Sequence, residues 1–239
     1  MFSEFSETQF AFAILHEFLS KHPNSILFAP TQRKERLVGY DAKLVSNKGV
    51  PIFYQFKVSE CLNSKGKEYP YLAERYYRFY TYYGKPNNNQ HNVLKRLSSI
   101  CCFSKVFYVA PCFYKNDVFY NYLKASSISN HSRFIRLKKL PLITNNNRHA
   151  ICYTASGKLR MFSEPVVDDG GALTSGSIVI EQDRESVIDV KEFIKSISIF
   201  HDMGLITTKH TINPYEELSK FGSWLMQFGI FFIWASVSN

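Results

Sequence analysis

Apolar residues recur along this chain at two spacings, and each spacing predicts an element. Between Ser6 and Leu19, Phe10, Ala11, Ile14 and Phe18 share one stripe at the helical period. Ser6 is placed to cap that helix, and Gln9 three residues on completes a capping box. Glu7 falls inside the stripe, where a carboxylate either meets a partner or, from the first turn, reaches out to water and favours the helix dipole. From Gly39 to Glu60 the period changes to two. Val38, Tyr40, Ala42 and Leu44 alternate with Asp41 and Lys43, and Ile52, Tyr54, Phe56 and Val58 alternate with Phe53, Gln55 and Lys57. With a turn at Asn47-Lys48-Gly49, this reads as a hairpin with one apolar face, and Asp41, Gln55 and Lys57 converge on the other.

The same reading predicts a short strand over Ser25–Pro30, a polar connection carrying Arg33, Lys34, Glu35 and Arg36, and a loop over residues 59–75. Tyr76–Tyr83 reads as a strand beside Arg75, with Arg78 within it, and its tyrosines offer surfaces on which bases could stack. A helix is expected from Gln90 to Cys102, with Val93, Leu94, Leu97, Ile100 and Cys101 inward and Lys95 and Arg96 off that stripe. Lys105–Phe113 is apolar on both faces, as a covered central strand would be. Further strands are expected at residues 148–153 and 159–162, and a helix at Ser186–Gly204 with Ser186 and Asp189 as its opening signal. Phe221–Val237 is nearly all apolar but shorter than the about 20 residues of a membrane span. A buried strand or an oligomer interface is expected there rather than a membrane anchor.

Charge sharpens the picture. The net charge is +9 over 239 residues, yet residues 25–165 carry +16 while the two ends carry −2 and −5. Such segregation suits a polyanion, with Arg133, Arg136, Lys138 and Lys139 forming a second basic run. Cys61, Cys101, Cys102, Cys112 and Cys152 form no C-x-x-C pair, and their number is odd. That argues against a zinc site or a disulfide framework and for a reducing, cytoplasmic setting.

The pattern Asp41-x13-Gln55-x-Lys57 resembles the PD-(D/E)xK nucleases, in the Gln variant found in Mrr-type restriction nucleases. The element order over residues 6–113 is similar to their core, with Tyr76–Tyr83 inserted. The resemblance implies an α/β (α+β) fold with a restriction-endonuclease-like core and a mixed central sheet flanked by helices. It places a nuclease-like domain at residues 1–165 and an acidic C-terminal extension at 166–239. It further implies Mg²⁺- or Mn²⁺-dependent hydrolysis of DNA in bacterial genome defence. Asp41, Gln55 and Glu7 would be metal ligands, Lys57 would stand at the scissile phosphate, and the basic residues named above would hold the backbone. Two other readings compete. One is a nucleic-acid-binding or sensing subunit with an impaired metal site, which the neutral Gln55 favours. The other places the run at 221–237 in a membrane or against a partner, which makes the chain an effector whose target is not DNA; a protein partner or a second copy is the contact expected there, and a membrane is not.

Overall fold

The structure is a computed structural model, and it describes residues 1–28, 48–81, 90–100, 105–144, 147–163, 167–168, 187–202 and 213–236. In chain order the elements are α1 (Glu7–Lys21), β1 (Ser25–Phe28), β2 (Lys48–Phe56), β3 (Glu60–Leu62), α2 (Tyr69–Leu72), β4 (Tyr76–Tyr80), α3 (Gln90–Ile100) and β5 (Lys105–Pro111). They continue with α4 (Asn116–Lys124), β6 (Ser132–Arg136), β7 (His149–Thr154), β8 (Leu159–Ser163), β9 (Val167–Asp168), β10 (Ile188–Asp189), α5 (Val190–Asp202), α6 (Pro214–Met226) and β11 (Ile230–Ser236). The protein is mixed α+β, with a mixed central sheet and flanking helices. That sheet has the order β1-β11-β2-β5-β6, with β10 also on β2, and a second sheet has the order β3-β4-β7-β8-β9.

The chain divides into two compact units that interleave in sequence. The first holds Met1–Lys21, Phe56–Arg96 and Phe107–Val179; the second holds His22–Gln55, Leu97–Val106 and Ile180–Asn239. The sequence reading had instead placed one boundary after residue 165.

In the first unit, α1 begins as its capping box predicts. The Gln9 N–H donates to Ser6 Oγ at 3.1 Å, and the Ser6 N–H to Gln9 Oε1 at 2.9 Å. Phe10, Ala11, Ile14 and Phe18 are buried, and Phe10 meets Phe56 edge-on at 6.0 Å. The loop expected over residues 59–75 contains β3 and α2 instead. Helix α4 has no local cap: its N-cap is Lys115, and the Asn116 N–H donates to Glu4 Oε2 at 2.9 Å. A capping partner 112 residues away leaves no local signal to read.

In the second unit the departures are larger. The expected turn at Asn47-Lys48-Gly49 does not form at its two described positions: Lys48 and Gly49 open β2. Gly49 lies opposite Ser236 on one side and Ile188 on the other. Its missing Cβ matters for packing rather than for a turn, because a Cβ there would stand 2.5 Å from the indole of the fully buried Trp234. In this unit β2 pairs with the short β10 and, along most of its length, with β11, from Ile230↔Gln55 to Ser236↔Gly49. β2 is therefore buried on both faces after Lys48, where the sequence had suggested one polar face.

The apolar run at 221–237 resolves into the end of α6 and the strand β11. Asn213 caps α6 by accepting the Tyr215 N–H at 3.0 Å, and Gly229, at φ 65°, turns the chain into β11. β11 lies between β1 and β2, so this run is central to the sheet rather than an extension of it. Phe232 stacks on Phe28 and on Phe53, both at 5.0 Å, and Phe193 of α5 covers it at 5.7 Å. Asp189 caps α5 by accepting the Lys191 N–H at 2.8 Å, the place the sequence reading gave to Ser186, which lies outside the described residues.

Two predictions follow from this packing. Gly49→Ala must displace Trp234 or β2, so urea unfolding should show a loss of about 1–3 kcal/mol; an unchanged midpoint would refute the close approach. The second concerns His91, which is buried with Nε2 2.8 Å from Pro141 O and Nδ1 3.0 Å from Tyr108 Oη. Burial lowers its pKa from 6.5 to about 4. The unfolded chain then binds the extra proton first, so stability is full above pH 6.5 and falls as the pH drops toward 4. His91→Gln should flatten this decline in urea titrations at pH 7 and pH 4.5. An equally steep decline in the variant would assign it to other groups.

Candidate functional site

Lys57 directly follows β2, and its backbone N–H donates to Val109 O at 2.9 Å. The side chain is half-buried, and burial pushes its pKa down while the Glu7 carboxylate pulls it back up. Glu7 sits in the first turn of α1. Although much of that residue meets solvent, protein crowds its carboxyl group enough to raise the pKa. Lys57 and a hydrogen bond from the Val58 N–H oppose that rise. Glu7 of the first helix and Lys57 after β2 thus act on each other electrostatically, each favouring the charged form of the other.

The remaining predicted site residues fare differently. Asp41 lies outside the described residues, as do Arg33, Lys34 and Arg36. Gln55 is 1 % exposed within the second unit and stands opposite Ile230. Glu4 and Glu17, the other acids near α1, serve the fold. Glu17 accepts from Lys21 at 2.7 Å, from the Ser129 N–H at 3.1 Å and from the Ser129 hydroxyl. Burial alone would raise its pKa, but these bonds outweigh it and hold it below the ordinary value.

Several of the expected nucleic-acid contacts are engaged within the first unit. Arg78 pairs with Glu68 at 2.8 Å and Glu60 at 3.1 Å, and its guanidinium lies 5.0 Å from the centre of the Tyr80 ring. Burial disfavours its charge, but the two carboxylates more than restore it. Lys95 donates to Leu137 O at 3.1 Å and Lys138 O at 2.7 Å, and burial, then Lys138, lower its pKa. Arg133 donates to Thr154 O at 3.2 Å and to Ala155 O. Arg75, Arg136 and Lys138 are exposed, and Arg96 is half-buried. Lys139 lies in a 3-10 turn, and its side chain is outside the described set. The sequence reading missed Arg148, exposed and stacked on Tyr80 with 3.4 Å from its guanidinium to the ring centre. The buried pair His149 and Ser163 was also missed. The Ser156-Gly157 turn was its available signal, because a hairpin centred there sets residue 149 opposite residue 163.

Among the described residues, no three His, Cys, Asp or Glu side chains gather where they could hold a metal ion. Mg²⁺ is usually held by one or two carboxylates together with substrate oxygens. Near Lys57, Glu7 is already engaged by Val58 and Lys57. The described donors alone therefore do not fit Mg²⁺ or Mn²⁺. Also among the described residues, no helix is long and apolar enough to cross a membrane.

Removing either charge should expose the pairing. In Glu7→Gln the pKa of Lys57 should fall further, read from the pH titration of its ¹³Cε resonance. In Lys57→Met the pKa of Glu7 should rise further. A Lys57 titration unmoved by Glu7→Gln would show that the two groups do not interact.

The chain matches no protein-family profile, no curated protein and no solved structure.

Proposed function

We propose that the protein acts on the phosphodiester backbone of DNA as a nuclease of the PD-(D/E)xK kind. What supports this reading is the electrostatic influence of Glu7 and Lys57 on each other. The resemblance asks for an acid from the first helix near the lysine of the Q-x-K sequence, and Glu7 is an acid in the first turn of α1. The chain order α1, β1, β2, α3 and β5, with β3, α2 and β4 between β2 and α3, is the order that supports a restriction-endonuclease-like core. The basic middle segment supports a polyanionic substrate.

In this reading Lys57 stabilises the negative charge that grows on the phosphate during attack by water. Glu7 opposes the burial that lowers the pKa of that lysine. Metal dependence enters through Asp41. The 1 % exposure of Gln55 favours a second reading, a module that binds DNA without cutting, because an enclosed neutral amide adds no charge to a cation site.

Plasmid nicking separates the two. The purified chain should nick supercoiled DNA with Mg²⁺ or Mn²⁺ and stop when the metal is chelated. Lys57→Ala and Asp41→Asn should each lower the rate by about 100-fold or more. Tight binding with no cutting under either metal would replace the nuclease with the binding module. Nicking that survives both substitutions would place the activity elsewhere.

A further inference from the structure

The first unit holds a second constellation that does not involve Lys57. The β7–β8 hairpin sets His149 opposite Ser163, with Ser163 Oγ and His149 Nδ1 2.8 Å apart. The two residues are nearly enclosed, at 5 % and 7 % exposure, and both line a cavity of about 270 Å³. Met161 and residues 141–144 supply the rest of the lining.

Buried polar groups hold that far wall in place. Pro141 O meets His91 Nε2 at 2.8 Å. Asn92 brackets Ile143, donating to its carbonyl at 2.8 Å and accepting its N–H at 3.0 Å. The Thr81 N–H donates to the carbonyl of His149 at 3.0 Å, which fixes the backbone beneath the imidazole. These bonds hold the wall in place, and a hydroxyl and an imidazole both line the cavity. A serine within hydrogen-bond reach of a positioned base is also the arrangement that makes a hydroxyl nucleophilic.

We propose that Ser163 is a nucleophile, activated by His149, for small carboxylic esters that enter this cavity. In the tautomer with a bare Nδ1, the Ser163 hydroxyl donates to the imidazole. Attack of Oγ on the ester carbonyl forms the acyl–oxygen bond as the proton passes to Nδ1. The bond to the alcohol then breaks, and the departing alkoxide takes that proton. Water next attacks the acyl-serine and gives a proton to Nδ1, and Oγ leaves and recovers it. The products are a carboxylic acid and an alcohol, with no change of oxidation state. A bond serving only to join two strands would leave Ser163 unreactive.

The test uses the full chain without nucleic acid or divalent cation, so its outcome does not depend on whether nicking is seen. A short-chain alkyl fluorophosphonate is added and the adduct mapped by mass spectrometry, with p-nitrophenyl butyrate hydrolysis read in parallel. The expected result is stoichiometric modification of Ser163, absent in Ser163→Ala, with esterolysis lost in the same variant. His149→Gln should slow labelling by about 100-fold or more. If that variant does not fold, the wild-type pH profile decides, because labelling should rise as the imidazole loses its proton. Wild-type chain unlabelled at Ser163, a flat pH profile, or a His149→Gln variant labelled at the wild-type rate would each overturn the assignment.

Discussion

A lysine that protein closes around must lose its proton or keep an anion beside it, because burial penalises an unpaired charge heavily. At Lys57 the anion is Glu7, and the rest of the proposed site is built around that requirement. The backbone of Lys57 is tied to Val109 of β5, so the side chain leaves the sheet from a fixed point. The capping box fixes where α1 begins and therefore where Glu7 stands. Phe10, packed on Phe56 just before Lys57, holds the helix against the strand end. The electrostatic pair is thus positioned by aromatic packing and by two capping hydrogen bonds.

Polar side chains elsewhere in the first unit bind backbone far away in sequence. Glu4 caps α4, Glu17 holds the turn at Ser129, and His91 and Asn92 of α3 pin residues 141 and 143. Each satisfies buried or terminal backbone groups that no regular ladder reaches. Arg78, Lys95 and Arg133 do similar structural work with their charge. The excess of basic residues in the middle of the chain is therefore larger than the basic surface left to meet a partner. Arg75, Arg136, Lys138 and Arg148 are exposed, as are Lys65, Lys67, Lys115 and Lys124.

The second unit shows the complementary design, a core held by rings rather than by polar bonds. Phe28, Phe53, Phe193, Phe221 and Phe232 meet one another across β1, β11, β2, α5 and α6. Close packing leaves no room for extra atoms. Gly49 under Trp234, and Gly222 against Phe28, have no Cβ where one would collide. The apolar run at 221–237, long enough to raise the question of an interface, is largely taken up by this core.

Local patterns in the sequence carried α1, α5 and the strands over Tyr76–Tyr80, Lys105–Pro111, His149–Thr154 and Leu159–Ser163, because periodicity and capping act between near neighbours. They also identified Glu7 as a group in need of a partner, since it is a carboxylate on an apolar stripe. Strand neighbours were another matter. The glycine at 49 reads locally as a turn, and only the indole of Trp234, 185 residues later, shows that it serves close packing. The insertion of β11 between β1 and β2, the capping of α4 by Glu4, and the pinning of residues 141 and 143 by His91 and Asn92 join residues that no local window contains. Such contacts follow from which surfaces fit one another once the chain has collapsed, and the folded arrangement alone decided them.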